Sequence, residues 1–141
     1  MMSVPSSGVL FVCVKNGGKS QMAAGLLRKE LQEAGKLDAV TVTSVGTQAG
    51  KQVNPLSAAV LSDVGVDISD QSPTQLTEEA MRSAGHVIVI GAEAQVPGLD
   101  GVTVERWETV EPSEQGVEGH ERMVMIREDL SARIRELASR L

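Results

Sequence analysis

The sequence predicts an α/β protein in which a parallel sheet is covered by helices on both faces. Two continuous apolar runs, at residues 9–14 and 86–90, are typical of strands that are buried on both sides, and a β-branched run at residues 40–45 predicts a further strand. They alternate along the chain with stretches of helical apolar spacing, and this alternation favours parallel strands joined by helical crossovers. A length of 141 residues fits one domain with a core of its own.

Two helices are predicted in the first half of the chain, each with recognisable end signals. The first runs from Gln21 to Ala34, and Gly35 is placed to end it. The second runs from Pro55 to Val64, with Asn54 as its cap and Gly65 as its stop. Each helix follows a predicted strand, as a crossover connection requires.

The sequence of the second half of the chain predicts two more helices and a shorter strand. Residues 73–84 have a weaker helical pattern, residues 102–107 alternate as an edge strand, and residues 118–141 form a long amphipathic helix. The small, polar residues 1–7 are expected to form a flexible tail before a single domain at 8–141.

Composition excludes several classes of function. The net charge of −6 argues against a nucleic acid or an anionic membrane surface as the partner, because both require clustered positive charge. No apolar stretch approaches membrane length, and a single cysteine forms no intramolecular disulfide, so we expect a cytoplasmic protein. With one cysteine and two histidines, no metal cluster is predicted.

The loop after the first strand is the most informative stretch of the sequence. In GVLFVCVKNGGKSQMAA, which begins at Gly8, the strand leads through a glycine-containing loop into a helix. Backbone N–H groups and a helix N-terminus then converge on one spot, which suits a tetrahedral oxyanion. Cys13 stands at the base of this spot. The predicted oxyanion-binding residues are Val14, Lys15, Asn16, Gly17, Gly18, Lys19 and Ser20.

The GGKS string also suggests a nucleotide-binding loop, but the match is incomplete. The first position of the G-x-x-x-x-G-K-[ST] pattern is Cys13 instead of glycine. The strand that ends at Ile90 is followed by Gly91 and Ala92, so no aspartate is present to hold magnesium. We therefore set the nucleotide interpretation aside.

A nucleophilic cysteine explains the same string better. Loop N–H groups, the helix dipole and the Lys19 ammonium all favour a thiolate at Cys13. The Ser20 hydroxyl is placed to donate to that thiolate, and the Asn16 side chain to fix the shape of the loop. Lys15 is expected to contribute through its backbone and the local potential, with a solvated side chain.

Several strings together resemble the low-molecular-weight tyrosine phosphatase family, and more closely its arsenate reductase branch. They are VLFVCVKNGGKSQMAAGLL, SVGT at 44–47, VGVDIS at 64–69, WETVEP at 107–112 and RMVMIREDLSARI in the last helix. The resemblance implies a three-layer sandwich with a four-stranded parallel sheet in the order 2-1-3-4. It also implies that Cys13, Lys19 and Ser20 are catalytic, with Glu111 as the acid.

The sequence departs from the family pattern at three places. Lys19 stands where the family has arginine and loses its bidentate grip, although actinobacterial mycothiol-dependent arsenate reductases carry the same N-G-G-K-S-Q-M-A-A string. Glu111 replaces the family's aspartate before Pro112. Residues 91–95, GAEAQ, lack the additional cysteines of thioredoxin-coupled members, so the resolving thiol must come from another molecule.

Three functions remain open from the sequence. The preferred one is an arsenate-mycothiol transferase: Cys13 attacks arsenate, mycothiol takes the arseno group as co-substrate, and mycoredoxin reduces the conjugate to arsenite, with no bound cofactor. The second is a phosphatase that forms a phosphocysteine, although one Phe, one Trp and no Tyr supply an aryl-binding slot poorly. The third is a non-catalytic module that binds an oxyanion such as phosphate or sulfate.

Several other residues receive structural interpretations. Arg122 and Arg127 are expected on the polar face of the last helix, and Trp107 is expected to pack between a strand and a helix. His86 and His120 do not pair with Cys13 in any predicted arrangement.

Overall fold

The computed structural model describes residues 7–141, in which four strands and four helices follow the predicted alternation. The predicted tail at residues 1–7 lies outside the described part except for Ser7, the first residue of β1. The strands and helices are β1 (Ser7–Cys13), α1 (Lys19–Glu33), β2 (Val40–Gly46), α2 (Pro55–Ser62), α3 (Glu78–Ala84), β3 (Gly85–Ile90), β4 (Thr103–Trp107) and α4 (Gly119–Ser139). Short 3₁₀ helices occupy Leu37–Ala39 and Pro112–Gln115.

The four strands are all parallel and lie in the order β2-β1-β3-β4, which confirms the predicted order. The β1 strand is central, and its residues from Val9 to Val12 are fully buried. This burial on both faces is the reason for its unbroken apolar sequence. The carboxyl ends of the strands meet at one edge of the sheet, where a ligand site is expected in a doubly wound fold.

Helices cover both faces of the sheet and give the predicted three layers. One core cluster joins alternate β1 residues such as Val9 and Phe11 to α1, α2 and α4. The second cluster, which includes Leu10, Val12 and Met81, lies between the other face and α3. Trp107 is buried with its ring 5.8 Å from that of Phe11, in the same cluster as α4 residues. Its predicted packing position is confirmed.

The helix predicted at residues 73–84 is wrong in its first half. Only Glu78–Ala84 is helical, and Thr77 caps it by accepting a bond from the Ala80 N–H. The preceding residues pair with the end of β2 instead: Gly46 donates to the Thr74 carbonyl and accepts from the Leu76 N–H. These extended contacts satisfy backbone groups that a helix would otherwise have used.

Helix α1 begins two residues earlier than predicted. Lys19 and Ser20 therefore lie in its first turn, not in the preceding loop. Helix α2 ends at Ser62, two residues before the predicted Val64, while Asn54 caps it as expected by accepting bonds from Leu56 and Ser57. The early start of α1 brings its N-terminus directly against the loop that leaves β1.

Candidate active site

The loop of residues 14–18 connects the end of β1 to the start of α1, so Cys13 lies at the carboxyl edge of the sheet. The carbonyl of Cys13 and the loop carbonyls of Val14, Lys15 and Gly17 accept bonds from N–H groups in the segment 47–54. Because each peptide unit is planar and trans, the N–H that follows an outward carbonyl points to the opposite side. The N–H groups of residues 14, 15, 16 and 18 therefore face inward, beside the positive end of the α1 dipole.

Asn16 holds the loop in this shape. Its backbone has φ 55°, in the left-handed region that asparagine tolerates better than most residues, and the residue is fully buried. Its Nδ2 donates to Ser20 Oγ at 2.7 Å, and its Oδ1 accepts from the Thr74 N–H at 2.8 Å and from Gln21 Nε2 at 3.2 Å. One side chain thus ties the loop to α1 and to the segment before α3.

Cys13 Sγ receives two polar contacts in this loop. The Asn16 N–H donates to it at 3.2 Å, and Ser20 Oγ lies 2.9 Å away. Since Ser20 Oγ already accepts from Asn16 Nδ2, its own hydrogen is free to point at the sulfur. Both donors stabilise a thiolate, which is the nucleophilic form of cysteine.

Gly46 allows the loop to approach the end of β2. A Cβ at this position would lie 2.6 Å from the Val14 carbonyl oxygen and 2.8 Å from the Asn16 nitrogen. Such contacts are much shorter than van der Waals distances, so only glycine fits without movement of the loop. This close approach explains the glycine in the SVGT string.

Lys19 and Glu111 meet, although 92 residues separate them. Lys19 Nζ lies 3.5 Å from Glu111 Oε1, with both side chains about one quarter exposed. Glu111 precedes the buried Pro112, and its Oε2 accepts from the Ser113 N–H and hydroxyl. The structure therefore brings the predicted acid next to the predicted loop cation.

Arg122 joins this pair, a contact that the predicted position on the polar face of α4 did not include. Its guanidinium binds both oxygens of Glu111, with Nη2 2.6 Å from Oε1 and Nε 2.7 Å from Oε2. A cation near the start of a helix is disfavoured by the helix dipole, and this could have marked Arg122 as a residue with a specific partner. Arg127 instead donates to the Val60 carbonyl and joins α4 to α2.

These contacts determine the charge of Glu111. The hydrogen bonds from Arg122 lower the pKa of this carboxyl group far below its ordinary value, Ser113 and Lys19 lower it further, and burial opposes them only in part. The same ion pair raises the pKa of Arg122. At neutral pH Glu111 is thus ionised here, and it has no proton to donate while Arg122 holds it.

One cavity of about 470 Å³ is lined by Cys13, Lys19, Glu111 and Arg122 together. Three further carboxylates line the same cavity, namely Glu93, Glu108 and Glu114. No aromatic side chain is among its lining residues in the described part of the chain. The cavity therefore combines a small cationic centre with several carboxylates, and it offers no flat apolar wall to an aryl ring.

Residues 7–141 contain no group of His, Cys, Asp or Glu side chains that could hold a metal ion. Nor does any helix within this range have the length and hydropathy needed to cross a membrane.

Known proteins share both this fold and its sequence features. The glutaredoxin arsenate reductase of Synechocystis sp. is 33% identical over 116 residues, which cover 78% of this chain and 82% of that protein. The structure of a thioredoxin-dependent arsenate reductase from Corynebacterium glutamicum is 34% identical with a TM-score of 0.78, and it covers 99% of this chain. This chain spans 63% of that protein's length.

A further structure, described as an arsenate reductase in the phosphate binding state, is 27% identical with a TM-score of 0.76. The match covers 95% of this chain and 98% of that one. Finally, the family pattern of the low molecular weight phosphotyrosine protein phosphatases matches residues 8–141, from β1 to the C-terminus. The chain therefore belongs to the low molecular weight phosphotyrosine protein phosphatase family.

Proposed function

We propose that this protein is an arsenate reductase of the thiol transferase type. The observation that carries the proposal is the single cysteine of the chain, which lies in an anion-binding loop and has no second thiol to resolve its adduct. Relatives named as arsenate reductases, including those of Synechocystis sp. and Halobacterium salinarum, support the choice of arsenate.

The proposed reaction begins with attack on arsenate. The Cys13 thiolate forms a bond to arsenic, one arsenic–oxygen bond breaks, and that oxygen leaves as water after it has taken up protons. The inward N–H groups of the loop and the Lys19 ammonium stabilise the negative charge on the remaining oxygens. Ser20 stabilises the thiolate before attack and after its release.

An external thiol then completes the cycle. Mycothiol, as its thiolate, attacks arsenic, the bond from arsenic to Cys13 breaks, and the free Cys13 thiolate returns. A mycoredoxin thiol next attacks the mycothiol sulfur, so arsenic gains two electrons and leaves as arsenite while a mixed disulfide forms. This order needs no second cysteine in the chain.

The cavity's charges support mycothiol as the thiol. Glu93, Glu108 and Glu114 line it, so a thiol that carries carboxylates of its own meets like charges there. Mycothiol has no carboxylate. The thioredoxin-dependent relative from Corynebacterium glutamicum offers a competing reductant, a protein dithiol, and the test must include both.

The experiment measures arsenite formation by the purified protein with arsenate, mycothiol and mycoredoxin, and in parallel with thioredoxin and its reductase. We expect turnover with mycothiol and mycoredoxin, little with thioredoxin, and none for Cys13→Ser. Turnover with thioredoxin alone would overturn the mycothiol assignment but leave the reductase assignment intact. Absence of arsenite with every thiol would overturn both.

A phosphatase is the second candidate, favoured by the family to which the chain belongs. The same loop would hold a phosphoryl group, and water would hydrolyse the phosphocysteine. Against it, no aromatic residue lines the described cavity. Hydrolysis of an aryl phosphate without arsenate turnover would establish this candidate. If neither activity is found but sulfate binding survives Cys13→Ser, the protein is an oxyanion-binding module.

A further inference from the structure

Glu111 lies between two cations of the site, Lys19 and Arg122. Its Oε1 lies 2.6 Å from Arg122 Nη2 and 3.5 Å from Lys19 Nζ, so one anionic oxygen contacts both cations. Oxygens of a tetrahedral oxyanion have the same charge and accept the same bonds. In this arrangement Glu111 is therefore an internal competitor for the cations that an oxyanion needs.

Arg122 can bind two oxygens of an anion at once, which Lys19 cannot do. A lysine ammonium is a point charge, whereas the planar guanidinium of arginine grips two oxygens at once. Arg122 already does so with the two oxygens of Glu111, at 2.6 and 2.7 Å. Among the described residues that line the cavity, Arg122 is the only arginine.

We propose that Arg122 is an oxyanion-binding residue that exchanges Glu111 for the substrate, and that the exchange converts Glu111 into the acid. When an oxyanion lies over Cys13, Lys19 and Arg122 bind its oxygens in place of the carboxylate. Glu111 then loses its cations and faces a new anion, so it takes up a proton. That proton goes to the oxygen that leaves arsenic, and Glu111 returns to Arg122 as a carboxylate.

The surrounding charges favour this proton uptake. The carboxylates of Glu93, Glu108 and Glu114 line the same cavity, and that of Glu118 interacts with Arg122. The cations that line it are Lys15, Lys19 and Arg122. Ser113 donates to Glu111 through its N–H and its hydroxyl. Once Arg122 turns to the substrate, Glu111 is left mainly among negative groups, which disfavour its ionised form.

Only the acid step rests on the proposed function, because the exchange itself applies to any tetrahedral oxyanion. Sulfate is therefore the probe, since it carries no proton near neutral pH. The measurements use a Cys13→Ser background, so that the thiol cannot take up the proton instead. Calorimetry of sulfate binding in two buffers with different ionisation enthalpies then gives both the affinity and the protons taken up.

The variants are expected to change the sulfate affinity in opposite directions. Arg122→Gln weakens binding by about tenfold or more, because it removes the guanidinium that would bind two oxygens of the anion. Glu111→Gln strengthens binding, because it removes the competing charge. It also abolishes the proton uptake that we expect in the Cys13→Ser parent at about pH 5.5, roughly one unit above an ordinary carboxyl pKa. Arg127→Gln, a matched control on the same helix, leaves both quantities unchanged.

A purely structural ion pair gives a different pattern, since the loss of either partner would then weaken binding alike. Weaker binding in Glu111→Gln, unchanged binding in Arg122→Gln, or proton uptake that persists in Glu111→Gln would each overturn the exchange. Sulfate binding is independent of arsenate turnover. Failure of the reductase assay therefore leaves this test valid, and failure of this test leaves the reductase assignment standing.

Discussion

Ser20 Oγ lies 2.9 Å from Cys13 Sγ while it accepts a bond from Asn16 Nδ2. A fully buried amide therefore occupies one acceptor position of the hydroxyl, which leaves its hydrogen free to bond the sulfur. Ser20 and the Asn16 N–H, which lies 3.2 Å from the sulfur, are thus the two polar groups that contact the nucleophile.

Ser20→Ala should slow the reaction of Cys13 with iodoacetamide by about tenfold at neutral pH, because a hydrogen bond to a charged group contributes ~1.5–3 kcal/mol. The thiolate is the reactive form, so the alkylation rate measures its population. Ser83→Ala, an exposed position on α3, serves as the matched control and should react like the wild type. Equal rates for Ser20→Ala and the wild type would show that the hydroxyl does not stabilise the thiolate.

Asn16→Ala should lower the free energy of unfolding by about 2–4 kcal/mol, because it leaves buried partners without bonds and puts alanine at a positive φ. Asn16→Gly keeps the backbone conformation accessible and should recover about 1 kcal/mol of this loss. Urea denaturation of both variants measures the difference. If the two variants are equally stable, the left-handed backbone contributes nothing.

Gly46→Ala should distort the loop, because the new Cβ would meet the Val14 carbonyl oxygen and the Asn16 nitrogen. We expect weaker sulfate binding and an unfolding free energy lower by about 1–3 kcal/mol. Gly98→Ala adds the same atom where nothing lies within 4 Å and should be neutral. Wild-type sulfate affinity in Gly46→Ala would mean that the loop can move away without losing its shape.

The ion pair of Glu111 and Arg122 should make the stability of the folded protein depend on pH. The pKa of Glu111 is lowered in the folded protein, so the pair stabilises the fold above the ordinary carboxyl pKa of 4.5, and this stabilisation is lost as the pH falls below that value. Both side chains are partly exposed, so solvent limits the effect to about 1 kcal/mol.

Thermal unfolding from about pH 6 to pH 3 tests this dependence across the carboxyl range. The wild type should lose stability more steeply below pH 4.5 than Glu111→Gln does. Glu121→Gln changes an exposed glutamate in the first turn of α4 and should follow the wild type. Parallel curves for the wild type and Glu111→Gln would contradict the lowered pKa.

Local sequence signals predicted most of the fold because its determinants are local. The β-branched runs identified the buried strands, and Asn54 with Pro55 marked the start of α2. The helix predicted for the segment before α3 was wrong because Thr74 and Leu76 bond to Gly46, about thirty residues away in the chain. No pattern within the segment itself reveals such a partner.

In the site too, contacts between residues near in sequence were predictable and contacts between distant elements were not. Cys13 and Ser20 are seven residues apart, and their spacing alone suggested that they meet. Arg122 is eleven residues from Glu111 and on a separate element, and its helical spacing indicated only a solvated face. What joins them is the position of α4 against the sheet, which depends on packing of the whole core.

The outward bonds of the loop carbonyls limit how this site could be transplanted. Contacts within residues 13–20 do not hold the loop alone, since the segment 47–54 supplies the donors that turn the carbonyls away from the interior. A graft of the loop alone onto another strand and helix would leave those carbonyls free to turn inward. An engineered copy of this anion site must therefore carry the second segment, and with it the glycine at the end of β2.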